Sequence, residues 1–422
     1  MDYKRIARDG TSLLFGKIGT IVLSLATLMI LTRTLTTEDM GKYSIFLMIV
    51  NIAVLLGLNW SDSSIVRHGR EELVSHKKIN QSFWARMYLF TPILIFFVLV
   101  FSIFKKKLTE YMGIETNLMF LVIGVFVLTG ILNLIEYIYQ SVDQVKKSSF
   151  VLFYQRLFYV LALLLLFFKI MPATMANILI LINISFVLAI ILNLTFFDFR
   201  LILPYHLNIQ YVKRIWSFSW PQFIGFFGLY AINYVDIYVI KKYMTLADVG
   251  TYSIAYNGFT MLSGILLLQY RLFFPLMVEY RTQRKFHLIR KYLQKMTSFL
   301  VLWVIIVLVG FFLSDYIIPL IFSESYVGAI PAFKILLISS IFFFLSTYLL
   351  PIVNAFDFIL YSQIFNLIKC AVNIIADFVL VPKMGIIGAA YGTMLSYIVG
   401  CVLTGALIYI NRKTVFGERN EK

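Results

Sequence analysis

Charge is scarce in this chain of 422 residues: Asp, Glu, Lys and Arg together make up 14%, against ~25% in soluble globular domains. That deficit excludes the two or three soluble domains that the length alone would suggest. Cysteine is nearly absent. Cys370 and Cys401 both fall inside apolar runs, which excludes a disulfide framework and leaves them as small apolar fillers. The four histidines show no metal-ligand spacing. What is there is apolar: 60% hydrophobic residues and a mean hydropathy of +0.86. Apolar runs of about 20 residues recur from end to end, each long enough to cross a ~30 Å hydrocarbon core. The runs are unbroken rather than alternating, which selects helices over barrel strands.

Twelve spans are predicted, at 11–32, 41–59, 84–104, 117–139, 149–168, 174–197, 217–240, 249–271, 296–314, 331–350, 361–381 and 386–410. Lys4, Arg5 and Arg8 resemble the start of a signal peptide. The run behind them ends in Leu31-Thr32-Arg33-Thr34 with no small-residue cleavage site, so it is read as a span. The net charge of +16 would suit nucleic acid if it lay on one face. It lies instead in short loops, as the positive-inside rule expects, so the expected partner is the lipid bilayer and not nucleic acid. With twelve spans, Lys and Arg favour one side nearly threefold; that side holds both termini, the loops at 60–83 and 272–295, and the connection around 201–216. Both termini are therefore expected in the cytoplasm, with Lys105–Lys107 the one misplaced cluster. The 60–83 and 272–295 loops mix cations with apolar residues and predict short helices lying at the interface.

Thr36-Thr37-Glu38-Asp39-Met40-Gly41-Lys42-Tyr43-Ser44-Ile45 joins the first two spans, and Thr245-Leu246-Ala247-Asp248-Val249-Gly250-Thr251-Tyr252-Ser253-Ile254 joins the seventh and eighth. Six of the ten positions are identical at an offset of 209. Six spans per half is an even number, so the halves are expected to be parallel repeats. The expected organisation is an N-terminal lobe at 1–200, a cytoplasmic connection at 201–216 and a C-terminal lobe at 217–422.

The repeated turn resembles the multidrug/oligosaccharidyl-lipid/polysaccharide superfamily, and within it the Wzx-type polysaccharide flippases. So do the seventh span, Asn233-Tyr234-Val235-Asp236-Ile237-Tyr238-Val239-Ile240, and the closing Met384-Gly385-Ile386-Ile387-Gly388-Ala389-Ala390-Tyr391-Gly392-Thr393. The resemblance implies an all-α integral membrane protein of the MATE-like fold, with two six-helix lobes around a central cavity. It implies translocation of undecaprenyl-diphosphate-linked oligosaccharide across the bacterial inner membrane, for an O-antigen or capsule pathway. A polysaccharide polymerase and glycosyltransferases are then the expected partners. MurJ-like lipid II flippases carry two further spans, which this reading lacks.

A charge inside a span costs roughly 2.5–3.5 kcal/mol on insertion scales, so such residues are candidate cavity or pathway sites. In the eleventh span Gln363, Asn366, Lys369, Asn373 and Asp377 follow spacings of 3, 3, 4 and 4 and form one polar stripe. The stripe either lines a cavity or glues helices together. Lys17, Thr20, Ser24 and Thr27 make a milder stripe in the first span. A shift of 213 pairs Ser149 with Ser362 and Arg156 with Lys369, placing one cation per lobe where a diphosphate could be held. Arg33 and Lys242, related by the 209 offset, stand at the outer mouth as substrate contacts or interfacial snorkels. Asp236 reads as a proton or cation coupling site, or as the fixed partner of Arg33. Glu136 reads as a pathway acid or as the ion-pair partner of Arg156. Gly225 and Gly228, after Pro221, and Pro351 are places where helices could bend. The coupling ion, proton or sodium, stays open.

Two rival functions follow from the same residues. A drug/cation antiporter of this fold would want an acidic cavity, whereas two deep cations are present. A membrane polymerase or glycosyltransferase would want a large outer loop with Arg, Asp or His, and no such loop is predicted. A transporter without catalytic residues or cofactor is the expectation.

Overall fold

The computed structural model describes residues 3–417. The first half runs α1 (Tyr3–Thr34), α2 (Thr37–Gly57), α3 (Asp62–His76), α4 (Asn80–Ile103), α5 (Lys105–Met112), α6 (Met119–Ser141), α7 (Val145–Phe167) and α8 (Met175–Thr195). The second runs α9 (Ile209–Tyr243), α10 (Leu246–Thr282), α11 (Phe286–Phe322), α12 (Ile330–Ala355), α13 (Ile359–Met384), α14 (Ile386–Ile410) and the short α15 (Arg412–Phe416). Among the described residues ten helices are long and apolar enough to cross a membrane. The long α9 and α10 enclose the spans predicted at 217–240 and 249–271, so each predicted span falls on its own helix. This is a multi-pass membrane protein.

The predicted interfacial helix at 60–83 is α3, ended by Lys77 in the left-handed conformation at φ 60°. The one predicted at 272–295 does not form separately: α10 continues to Thr282 and α11 begins at Phe286. The reason is packing. Ile289 and Tyr292 continue the buried stripe of α11, and the Tyr292 hydroxyl donates to the Tyr348 carbonyl of α12 at 2.9 Å. Helices α9 and α12 run without interruption through 221–228 and Pro351.

The two repeated turns fold alike. Thr36 and Thr245 each cap a helix by accepting from the backbone N–H three residues on, Asp39 at 3.1 Å and Asp248 at 3.3 Å. Their acids also sit in the first turn, where the helix dipole favours them. A second correspondence comes from glycine. A Cβ on Gly19 of α1 would lie 2.8 Å from the Phe153 ring of α7, and one on Gly228 of α9 would lie 3.2 Å from the Asn366 carbonyl carbon of α13. The nearest atom to the latter is in the Leu367 side chain, at 2.9 Å, so α1 on α7 and α9 on α13 both cross closely at glycines 209 residues apart.

The chain divides into two compact units between Phe226 and Phe227, inside α9. In the first, α1 packs on α7, α7 on α8, and α6 on α3 and α8. The segment leading to α9 is tied to the start of α4. Ile79 N–H donates to the Leu201 carbonyl and the Trp84 indole to the Ile202 carbonyl, both at 2.9 Å, while Asn208 donates to Gln81 at 2.8 Å. Val212 and Ile215 of α9 then bury against Ala85. In the second unit α13 packs on α14, and α12 on α10 and α14.

Under α3 lies a buried ion pair. Arg86 of α4 donates to Asp62 at 2.9 Å and to the Leu58 carbonyl, with its guanidinium over the Phe90 ring. Burial pushes the Asp62 carboxyl up to about 6 even beside Arg86, so desolvation outweighs the attraction. Arg86→Met is therefore expected to cost about 3–5 kcal/mol by stranding a buried charge, while adding Asp62→Leu restores native stability or better. Thermal melting of the two variants in detergent checks this; a double variant as unstable as the single would contradict it.

Candidate functional site

Five side chains from four helices of the second unit meet around one carboxylate. Asp236 comes from α9, Tyr252 from α10, Asn373 and Asp377 from α13, and Thr393 from α14. Asn373 Nδ2 donates to Asp236 Oδ1 at 3.1 Å and Thr393 Oγ1 donates to Asp236 Oδ2 at 2.8 Å. The Tyr252 hydroxyl donates to the same Oδ2. Asp377 lies within hydrogen-bonding reach of Asp236. None of the five is more than 1% exposed.

Local sequence puts them there. Asp377 follows Asn373 by four residues, one turn along the same face of α13. Opposite them α14 has Gly392, and a Cβ there would lie 2.0 Å from Asp377 Oδ1. Only glycine leaves room for the carboxylate. Thr393 is the next residue, turned to Asp236.

The site is electrostatically incomplete. Both Asp377 oxygens and Asn373 Oδ1 are buried without a hydrogen-bond donor. Two unit negative charges ~4 Å apart repel by about 4 kcal/mol at an effective dielectric of ~20. Orphaned buried acceptors cost a further ~1–3 kcal/mol each. A single positive charge resolves both costs, either a proton shared by the carboxylates or a small hard cation held by oxygens alone. Carboxylate, amide and hydroxyl oxygens fit such an ion. They do not fit a soft transition metal, and among the described residues no cluster of three or more His, Cys, Asp or Glu could hold a metal.

The predicted stripe on α13 thus splits in two. Its far end, Asn373 and Asp377, belongs to the acidic cluster. Lys369 lies four residues before Asn373 and eight before Asp377, ~6 and ~12 Å along the axis, against Gly400 of α14, where a Cβ would be 2.5 Å from Lys369 Cδ. The backbone of Asn366 lies at the Gly228 crossing. In the first unit Arg156 stands close to the Tyr43 and Tyr159 hydroxyls, which are 3.5 Å apart. Glu136 accepts from Gln140 at 3.3 Å. Lys17 and Arg33 are exposed on α1. The hydroxyls of the α1 stripe bond back to their own helix, Thr20 to Gly16 at 2.7 Å and Thr27 to Leu23 at 2.9 Å.

Sequence reasoning named Asp236, Asn373 and Asp377 but not Tyr252 or Thr393. Tyr252 carried a signal, being one of the identical positions of the repeated turn. Thr393 stood only as the last residue of the closing motif: an uncharged residue in an apolar span marks no site until its partner is known.

The family model described as polysaccharide biosynthesis protein matches residues 6–281. No curated protein matches the chain. Among solved structures, the lipid II flippase MurJ in an inward closed conformation is similar with a TM-score of 0.78 and 13% identity, over 96% of this chain and 87% of that one. An inward-facing multidrug resistance MATE family transporter of the MOP superfamily matches with a TM-score of 0.75 and 15% identity, over 96% and 99%. A MOP superfamily transporter from Pyrococcus furiosus matches at 0.67 and 13%, over 98% and 96%. At these identities the structures speak to fold, which they share with this chain along nearly its whole length. With the family model matching well over half of the sequence, the chain belongs to the polysaccharide biosynthesis protein family and has the fold of the MOP superfamily.

Proposed function

We propose that this protein is a Wzx-type flippase. It moves undecaprenyl-diphosphate-linked oligosaccharide from the cytoplasmic to the outer leaflet of the bacterial inner membrane by alternating access, with both termini in the cytoplasm. What supports this reading is membership of a polysaccharide biosynthesis family together with one cation inside a span of each half, Arg156 and Lys369. A guanidinium and an ammonium away from bulk water bind diphosphate oxygens strongly. Asn366, Arg33 and Lys17 extend the polar path, and a proton or sodium ion taken up at Asp236 and Asp377 drives the cycle. Glu136 is assigned to the same coupling route.

The antiporter reading would make that acidic pair the cargo site. Its closure argues otherwise: an organic cation needs an open cavity, and these residues are sealed among side chains. A polymerase would have to lengthen its substrate. Purified protein in liposomes with a labelled undecaprenyl-diphosphate oligosaccharide separates the three. The expected result is label that becomes open to membrane-impermeant periodate under an imposed ion gradient, at unchanged sugar length. Transport of an organic cation alone, or extension of the sugar, would replace this proposal.

A further inference from the structure

A second group of charged side chains, exposed except for the buried His68, lies away from the acidic cluster, where α3 meets the start of α9 in the first unit. A cavity of about 380 Å³ is lined there by Arg67, His68, Glu71, Arg214, Ser217 and Phe218. Arg67 lies over the Phe218 ring at 4.8 Å, and His68 meets the same ring edge-on. Arg67 Nε donates to Glu71 at 3.4 Å and His68 Nδ1 lies 3.2 Å from the other Glu71 oxygen. Two guanidiniums face one carboxylate, so the cavity keeps a net positive charge. His68 is 7% exposed, and its Nε2 is buried with no partner. As an N–H donor that nitrogen would be satisfied by a ligand oxygen.

Where the cavity sits narrows the ligand. Ser217 and Phe218 open the predicted span of α9, so the cavity lies at the level where that helix enters the bilayer. Trp216 and Trp220, on the same stretch, are half exposed and stack at 6.3 Å, with Trp60 edge-on to Trp216. Exposed tryptophans of this kind mark the headgroup region. The volume takes a phosphate with a glycerol or a first sugar, not a whole oligosaccharide.

We propose that this cavity binds the phosphate group of a membrane lipid, held by Arg67, Arg214 and His68. Its source is either an anionic bilayer lipid or the diphosphate of a polyprenyl lipid, and binding is read without any transport. Failure here therefore leaves the flippase reading untouched, and failure of that reading leaves this one testable. Native mass spectrometry of the full chain, with phosphatidylglycerol, undecaprenyl diphosphate or inorganic phosphate supplied separately, provides the test. The wild type is expected to retain one or both lipids at least ~10-fold better than Arg67→Gln/Arg214→Gln, since charge-assisted contacts are worth that much each. Retention of phosphatidylglycerol names the bilayer source; retention of the polyprenyl lipid alone names the other. His68→Phe, which keeps a ring against Phe218 and removes only the nitrogens, is expected to lose retention as well while melting like the wild type. Equal retention by wild type and both variants, or inorganic phosphate held as tightly as either lipid, would overturn the proposal.

Discussion

Asp236→Asn is expected to abolish gradient-driven translocation and, with it, the stabilisation that the coupling cation gives the protein. In the wild type the cation neutralises a pair of buried acids, so it binds the folded chain and not the unfolded one. At a concentration 100-fold above its Kd such a ligand adds about 2.7 kcal/mol, a melting shift of roughly 2–4 °C for a protein of this size. The melting temperature is therefore expected to rise with NaCl over choline chloride if the ion is sodium, or with falling pH if it is a proton. Asn at 236 can still face Asn373, Thr393 and Tyr252 once the two hydroxyls rotate, but it carries no charge. The cation-free variant should be at least as stable as the wild type and insensitive to either titration. If Asp236→Asn keeps both the melting response and the gradient dependence, the cluster plays no part in coupling.

Lys369→Ala should lower export of the polymer by ~10–100-fold while the protein remains in the membrane. One charge-assisted contact to a phosphate oxygen is worth ~1.5–3 kcal/mol, and each 1.4 kcal/mol is tenfold. Arg156→Gln is expected to cost a similar factor, because the shift of 213 pairs these two cations. Gly400 gives the Lys369 stem its channel on α14, so Ala at 369 leaves space and not a clash, and folding should survive. Transport by Lys369→Ala at the wild-type rate would refute its role. Disappearance of the protein itself would mark a structural part.

Helices were legible because their signal is local. Runs such as 386–410 need nothing beyond their own composition, and that span agrees with α14 residue for residue. The loop at 272–295 was misread because its apolar residues serve α12, far away in sequence, a contact that no local pattern carries. The stripe of Asn366, Lys369, Asn373 and Asp377 was visible as periodicity. What divided it, the glycines at 392 and 400 on the facing helix, was not, since a glycine in a membrane helix has many ordinary reasons to be there. Asp236 could be marked as costly but not given its partners, which lie 16 to 157 residues away.

The acidic cluster has no copy at the matching places of the first half. The 209 offset carries Asp236 onto Thr27, which is buried and bonded to its own helix, and the 213 shift carries Asp377 onto Leu164. On the proposed mechanism each cycle is then powered by a single monovalent ion. A membrane potential of 100 mV supplies about 2.3 kcal/mol per charge, and a tenfold ion gradient about 1.4 kcal/mol more. Together they make the ion's own contribution worth a few hundredfold in the ratio of lipid-linked sugar between the leaflets, to which the outward movement of the anionic diphosphate in the same potential adds; the ratio is finite, so steady export depends on removal of the sugar at the far leaflet.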